Sequence, residues 1–255
     1  MAKRAGGKPL IPNRGQAPAL PERAAPPKAV RGRLTLGIDE AGRGPTIGPM
    51  VMAAVAIDSK CAAALTRKGL RDSKAFGAGD DAHAIRSELA AEIRQRAIFV
   101  QTVEIEVEEI DKRVCKGELN ALEREHATRL IEGAPTCDKI IADGKRMFAA
   151  LTVRFAQLIS MDRAEEHHAS VAAASVIAKV LRDQRFIAIK QRYEPELGPI
   201  TGGGYGNEAT RRWVRAYVEK YGKLPEEARL SWPYPFVADL LGHVRPMTSQ
   251  VELFA

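Results

Sequence analysis

Aromatic residues are scarce in this sequence, 5% of its 255 positions, and there are only three cysteines, Cys61, Cys115 and Cys137. The cysteines are widely spaced and form no CxxC pair. This argues against a disulfide framework, a zinc site or a redox couple, and leaves reduced thiols with no assigned chemistry. No run approaches the roughly twenty consecutive apolar residues that a membrane span needs, and the N-terminus lacks the apolar stretch of a secretory signal. A cytoplasmic protein with no membrane partner is expected. What the chain does have is 45% hydrophobic residues, enough at this length for one large core or two small ones.

Charge is unevenly placed. The net +7 lies entirely in residues 1–33, where eight basic residues face the single acid Glu22; the remainder holds 31 basic and 31 acidic residues. Six of the fifteen prolines fall in the same stretch. Such a composition cannot bury enough apolar surface to fold alone, so residues 1–33 read as a disordered basic arm. It either adds counterion-release affinity for nucleic acid or serves as a solubilising tail.

From Leu34 the pattern changes. Leu34 to Ile38 reads as a strand running into Asp39 and Glu40, followed by a glycine-rich turn, Gly42-Arg43-Gly44-Pro45. Met50 to Ile57 reads as a second strand and Ile98 to Val107 as a third. Helical spacing marks residues 83–96 and 118–131. Asp138 to Ala142 is a short strand leading into Asp143, and Phe155 to Met161 a further one. Val171 to Ile189 is an alanine-rich helix whose small residues permit close approach to a sheet. After the glycine cluster Gly202 to Gly206 comes a helical stretch, Arg211 to Tyr221. No repeat is present. Alternating strands and helices predict an α/β layered domain over 34–206 with a C-terminal helical appendage over 207–255.

The chemistry sits in the acids. Asp39 and Glu40 close a buried strand, where adjacent carboxylates repel and lose hydration unless a cation compensates them. Asp143 closes a second strand, and Asp162 and Glu165 follow a third. Convergent carboxylates suit magnesium or manganese, and a two-metal site suits phosphodiester hydrolysis. Any one of these acids could equally be a turn former or a helix cap.

Five motifs, in order, carry a resemblance. They are Gly37-Ile38-Asp39-Glu40-Ala41-Gly42-Arg43-Gly44-Pro45, Asp72-Ser73-Lys74, Ile141-Ala142-Asp143-Gly144, Val171 to Lys179 (VAAASVIAK), and Gly204-Tyr205-Gly206. Together they resemble ribonuclease HII over roughly residues 34–235. The resemblance implies a ribonuclease H-like fold, a mixed five-stranded sheet flanked by helices, and a four-carboxylate site for Mg2+ or Mn2+. Asp39, Glu40 and Asp143 match the family's first three acids. The fourth, normally an aspartate, stands six positions before the residue that opens the Ala-Ala-Ser helix. Counting back from Val171 reaches Glu165, and a glutamate there is typical of the sister family ribonuclease HIII. Asp162 is the alternative and needs an insertion.

The resemblance also assigns substrate contacts. Gly42, Arg43 and Gly44 match the tripeptide that grips the backbone at a ribonucleotide, with Arg43 adding charge. Tyr205 matches the tyrosine that stacks on the following deoxyribose and senses the 2′-hydroxyl, and Lys74 matches a phosphate contact. Asn207 and Glu208 stand where the family has threonine and lysine, which puts a phosphate contact there in doubt. Ser175 and Lys179 serve packing or phosphate contact, and His167 and His168 read as incidental linker residues. The expected activity is endonucleolytic hydrolysis of the RNA strand of RNA/DNA hybrids. Single ribonucleotides in duplex DNA are included, and the products carry 3′-hydroxyl and 5′-phosphate ends. The alternatives are an inactive hybrid-binding module and a DNA-directed nuclease of the same fold. A monomer is expected, with a sliding clamp as a possible partner through Val251 to Phe254.

Overall fold

In the computed structural model, which describes residues 32–70, 77 and 80–241, five strands form one sheet in the order β3-β2-β1-β4-β5. The strands are β1 (Leu34–Ala41), β2 (Met50–Asp58), β3 (Phe99–Ile105), β4 (Lys139–Asp143) and β5 (Leu158–Met161). β1 pairs antiparallel with β2, and β2 with β3, whereas β1–β4 and β4–β5 are parallel. The sheet is therefore mixed, as expected. Residues 1–31 of the basic arm, Lys74 and the segment Val251 to Phe254 lie outside the described residues.

β2 shows why the sheet is covered on both faces. Met50, Met52, Ala54 and Ala56 point to one side and Val51, Ala53, Val55 and Ile57 to the other, and all are buried. An apolar run without alternation is the pattern of a strand packed on two sides. One side packs α1 (Ser59–Arg67), α2 (Asp80–Arg96) and the long α6 (Ala169–Leu197). The other packs α3 (Val107–Val114), α4 (Leu119–Gly133) and α7 (Glu208–Tyr221), with the short α5 (Lys145–Phe148) beside β5. α8 (Ala238–Leu241) follows α7 in the chain.

The alanine-rich stretch Ala172–Ala174 of α6 lies directly over β1. A Cβ added at Gly37 would stand 2.1 Å from the carbonyl carbon of Ser170, inside van der Waals contact with backbone. Only glycine permits this approach. Beyond residue 206, Trp213, Val214, Tyr217, Val218, Trp232, Tyr234 and Val237 join the core shared with β1 and β2.

Several element boundaries differ from the sequence expectation. β3 ends at Ile105, its last pairing being with Met50, and Val107 opens α3 instead of closing the strand. Val107, Ile110 and Val114 are buried at helical spacing, and Glu108 and Glu109 occupy the first turn, where the helix dipole favours acids. α1 is a helix with a single buried residue, Leu65, so periodicity could not announce it; the Asp58 carboxylate caps it by accepting from the Cys61 amide at 2.7 Å. β5 starts at Leu158 because the 3-10 helix Ala149–Val153 precedes it and Phe155 is turned back onto that helix, donating its amide to Leu151 at 2.9 Å.

Candidate active site

β1 places its two acids on opposite faces of the sheet. Gly37, Asp39 and Ala41 face α6, while Glu40, like Leu36 and Ile38, faces the α4 side. Asp39 is buried, 6% exposed, and its carboxylate is hydrogen-bonded by Ser175 of α6 and by the Glu40 amide at 2.8 Å, with Lys179 of the same helix adding positive charge. Burial nevertheless dominates and, with the charge of Asp143 nearby, pushes the Asp39 pKa up to about 7. Glu40 is also pushed well above the usual carboxylate range. Burial is the main cause, followed by the charges of Asp39 and Glu123, partly offset by Arg43. Its Oε2 is buried without a hydrogen-bond partner.

β4 runs parallel to β1 and ends at Asp143, whose charge acts on both Asp39 and Glu40. Asp143 Oδ1 accepts from the Ala164 amide at 2.8 Å, which ties the 3-10 turn Ala164–Glu166 to the end of β4. Glu165 sits in that turn, 5% exposed. Asp162 is placed differently. It is exposed, and its Oδ1 accepts from the Lys145 amide at 2.7 Å, capping α5. Of the two alternatives, Glu165 is therefore the acid turned into the protein on the Asp143 side. His167 is exposed and His168 half-buried.

The donor set fits a hard divalent cation in chemistry: oxygens only, two of the carboxylates buried (Asp39, Glu165) and two half-buried (Glu40, Asp143), with an unpartnered atom on Glu40. Among the described residues no three acid, histidine or cysteine side chains already close into a cage. Asp39 and Asp143 each direct one oxygen to a backbone amide, which fixes the orientation of the carboxylate.

The glycine turn follows directly from β1. Gly42 has φ +86°, and a Cβ there would meet the Pro49 carbonyl oxygen at 2.9 Å. The carbonyls of this loop point inward onto two buried arginines. Arg229, fully buried, donates Nη2 to Gly42 at 2.5 Å, Nη1 to Arg43 at 2.9 Å and Nε to Gly48 at 3.0 Å. Arg182 of α6 donates to Ile47 at 3.0 Å, and the Tyr234 hydroxyl donates to Thr46 at 2.8 Å. With these carbonyls turned inward, the amides of Arg43 and Gly44 form no hydrogen bond to a described residue.

The second glycine loop is stapled to the first. The Gly204 carbonyl accepts from the Thr46 amide at 2.8 Å, the Ile47 amide at 3.2 Å and Thr46 Oγ1 at 3.0 Å. Tyr205, 52% exposed, consequently lies beside the turn, its ring 3.4 Å from where a Cβ on Gly44 would be. Asn207, which departs from the family pattern, caps α7 by accepting from the Thr210 amide at 3.0 Å.

Arg43 does not extend freely into solvent. Its guanidinium is ion-paired with Glu123 of α4, donates to Asn120 Oδ1 at 2.7 Å and meets Met147 Sδ at 3.2 Å. Sequence reasoning missed Glu123, Arg182 and Arg229. Glu123 was readable in principle as an acid on the apolar face of α4, among Leu119, Leu122, His126 and Leu130. Arg229 lies in an irregular segment where no periodicity marks burial.

A mixed five-stranded sheet with helices on both faces, and acids at the adjoining ends of two parallel neighbours, defines a ribonuclease H-like protein. The ribonuclease H2 structure from Pyrococcus horikoshii superposes with a TM-score of 0.70 at 28% identity, covering 82% of this chain and 97% of that one. A ribonuclease HII from Archaeoglobus fulgidus, solved in complex with PCNA, gives 0.65 at 26% identity, with 78% and 95% covered. The ribonuclease HII of Pyrobaculum arsenaticum is 37% identical over 205 residues, 77% of this chain and 93% of that protein. A family model described as Ribonuclease HII matches residues 36–234. The chain belongs to the ribonuclease HII family and is an endoribonuclease of the ribonuclease H type, a phosphodiester hydrolase.

Proposed function

We propose that this enzyme cleaves the RNA strand of RNA/DNA hybrids, including single ribonucleotides embedded in duplex DNA, leaving 3′-hydroxyl and 5′-phosphate ends. The observation that carries the reading is the adjacency of two units. An acid cluster (Asp39, Glu40, Asp143, Glu165) stands at the ends of β1 and β4, and the turn that leaves β1 runs straight into the Gly42–Gly44 and Tyr205 surface.

In this reading Asp39, Glu40, Asp143 and Glu165 hold two divalent ions, Mg2+ or Mn2+, whose chemistry is to activate the attacking water and stabilise the leaving oxygen. Ser175 and Lys179 orient Asp39, and the Ala164 amide orients Asp143. The outward amides of Arg43 and Gly44 bind a phosphate, and the glycines allow its close approach. Tyr205 stacks on the sugar that follows the ribonucleotide and reads the 2′-hydroxyl. Lys74 adds a phosphate contact.

The chain divides into a basic arm over 1–33, a catalytic domain over 34–206 and a C-terminal appendage from 207, in which Arg229 braces the glycine turn. No described helix is long and apolar enough to cross a membrane. A cytoplasmic location and a monomeric state are part of this proposal. A sliding clamp docks through Val251 to Phe254, in keeping with the PCNA complex of the Archaeoglobus relative.

The test is cleavage of a labelled DNA duplex carrying one ribonucleotide, with Mg2+ or Mn2+. The native enzyme nicks it 5′ of the ribonucleotide. Glu165→Ala lowers the rate about a hundredfold or more, several kcal/mol of lost charge stabilisation, and Asp162→Ala leaves it within a few-fold. Binding of hybrid without cleavage under either metal would make the chain a hybrid-binding module. Cleavage of all-DNA duplex would make it a DNA-directed nuclease.

A further inference from the structure

Among the described residues, Glu123 is the buried acid that the proposed mechanism does not use. It lies on α4 with no exposed surface, and its Oε1 is buried without a hydrogen-bond partner. A hydrophobic residue of similar size would occupy this position at lower cost, since a buried carboxylate loses its hydration and is only partly repaid by an ion pair. The residue that compensates it is Arg43, the middle residue of the glycine turn, 29% exposed on its side chain. Asn120, one turn earlier on the same helix, takes the other guanidinium nitrogen at 2.7 Å. Arg43 is thus held by two side chains of one helix, with Met147 Sδ closing a third side at 3.2 Å.

This grip restrains the side chain in a turn whose backbone is already fixed by Arg229. A free guanidinium here would attract any phosphate, whether its strand were RNA or DNA, because that attraction carries no information about the sugar. Held by Glu123, its charge is neutralised within the protein, and the turn presents amides instead.

We infer that Glu123, assisted by Asn120, is a positioning and specificity-determining residue that sequesters the Arg43 guanidinium, so that the Gly42–Gly44 turn meets nucleic acid with its backbone and not with a loose cation. The inference rests on the reading that this turn faces the substrate.

The experiment measures binding to two fluorescently labelled duplexes in chelator, one all-DNA and one RNA/DNA hybrid, across a salt series. Native protein, Glu123→Gln, Arg43→Gln and the double variant are compared. Glu123→Gln frees a cation beside the site. Its affinity for all-DNA duplex rises several-fold at low salt, and the slope of log K against log salt steepens by about one unit, the signature of one added phosphate contact. The hybrid-to-DNA preference falls. In the Arg43→Gln background the same substitution changes nothing, because the two residues act as one unit.

An equal gain in both backgrounds overturns the inference, since it reports a general charge effect; so does an unchanged salt slope accompanied only by a lower Tm, which reports packing. If Glu123→Gln does not fold, the exposed Asn120→Ala variant substitutes for it. A smaller gain that Arg43→Gln abolishes supports the inference, and no gain refutes it. Failure of the native protein to bind hybrid at all overturns the proposed function, and this inference with it. Native binding without any change in Glu123→Gln sinks the inference alone.

Discussion

Arg229 stands far along the chain from the glycine turn that it organises, and replacing it tests whether the C-terminal segment is part of the active site's framework. In Arg229→Met the carbonyls of Gly42, Arg43 and Gly48 lose their donor together. Charge-assisted bonds contribute roughly 1.5–3 kcal/mol each, and each orphaned buried carbonyl costs on the order of 1–3 kcal/mol. The three share one side chain and are not additive, so a total near 4 kcal/mol is expected, a large part of a typical domain's margin of roughly 5–15 kcal/mol. Arg229→Lys keeps the charge but cannot reach three carbonyls in one plane, and should recover under half of the loss.

The assay is urea unfolding of both variants, with hydrogen exchange at the Thr46, Ile47 and Gly48 amides. In Arg229→Lys these amides exchange faster than those of β2, because the loop loosens before the sheet does. Single-ribonucleotide cleavage by the folded enzyme falls with the loosening. If Arg229→Met is within about 1 kcal/mol of the native protein and cuts normally, the arginine is a passenger and the bracing argument fails.

Two further outcomes follow from the geometry. Gly37→Ala must push α6 away from β1, since the new methyl would stand 2.1 Å from backbone of Ser170. A destabilisation of about 3 kcal/mol or more in thermal unfolding is expected from such overpacking, and a loss under 1 kcal/mol would show that the helix shifts freely. The second outcome concerns pH. The Asp39 pKa rises from 3.8 unfolded to about 7 folded, so the native state binds the extra proton between those values. The stability this proton contributes is complete below pH 4 and is lost as pH rises through about 7. In chelator the Tm should therefore fall from pH 5.5 to 8, and saturating Mn2+ at pH 8 should restore it. Asp39→Asn should flatten the dependence; an unchanged slope in that variant would assign it elsewhere.

How much of this was legible beforehand depends on whether local pattern or distant contact decides a feature. The Ile38-Asp39-Glu40 strand end and the Asp143 strand end were readable, because an acid that interrupts an apolar run is visible within a few residues. The strand ends allowed their convergence and the resemblance implied it, but local pattern could not require it, since parallel pairing of β1 with β4 is a contact between positions a hundred residues apart. Counting from Val171 favoured Glu165 over Asp162, which needs an insertion, but gave no physical ground for the choice. Structure separates them by what each carboxylate meets, a backbone amide at the head of α5 for Asp162 and the protein interior for Glu165. α1 escaped because it buries one residue, and Arg229 because a lone arginine in a loop carries no sign of its burial. Arg43 was readable as a cation, but not as one whose charge is held by α4.

The Gly204 carbonyl, bonded to Thr46 and Ile47, makes a pair of callipers of the two glycine loops. One jaw carries the amides of Arg43 and Gly44, the other the ring of Tyr205, and the hinge between them is closed by two backbone amides and the Thr46 hydroxyl. In the proposed reading, the gap that a sugar must fit is set by this contact together with the Arg229, Arg182 and Tyr234 side chains that hold the first loop. If the two loops select the sugar as proposed, lengthening either by one residue spoils that selection while the acids at the strand ends keep their places, and fidelity is then lost separately from rate.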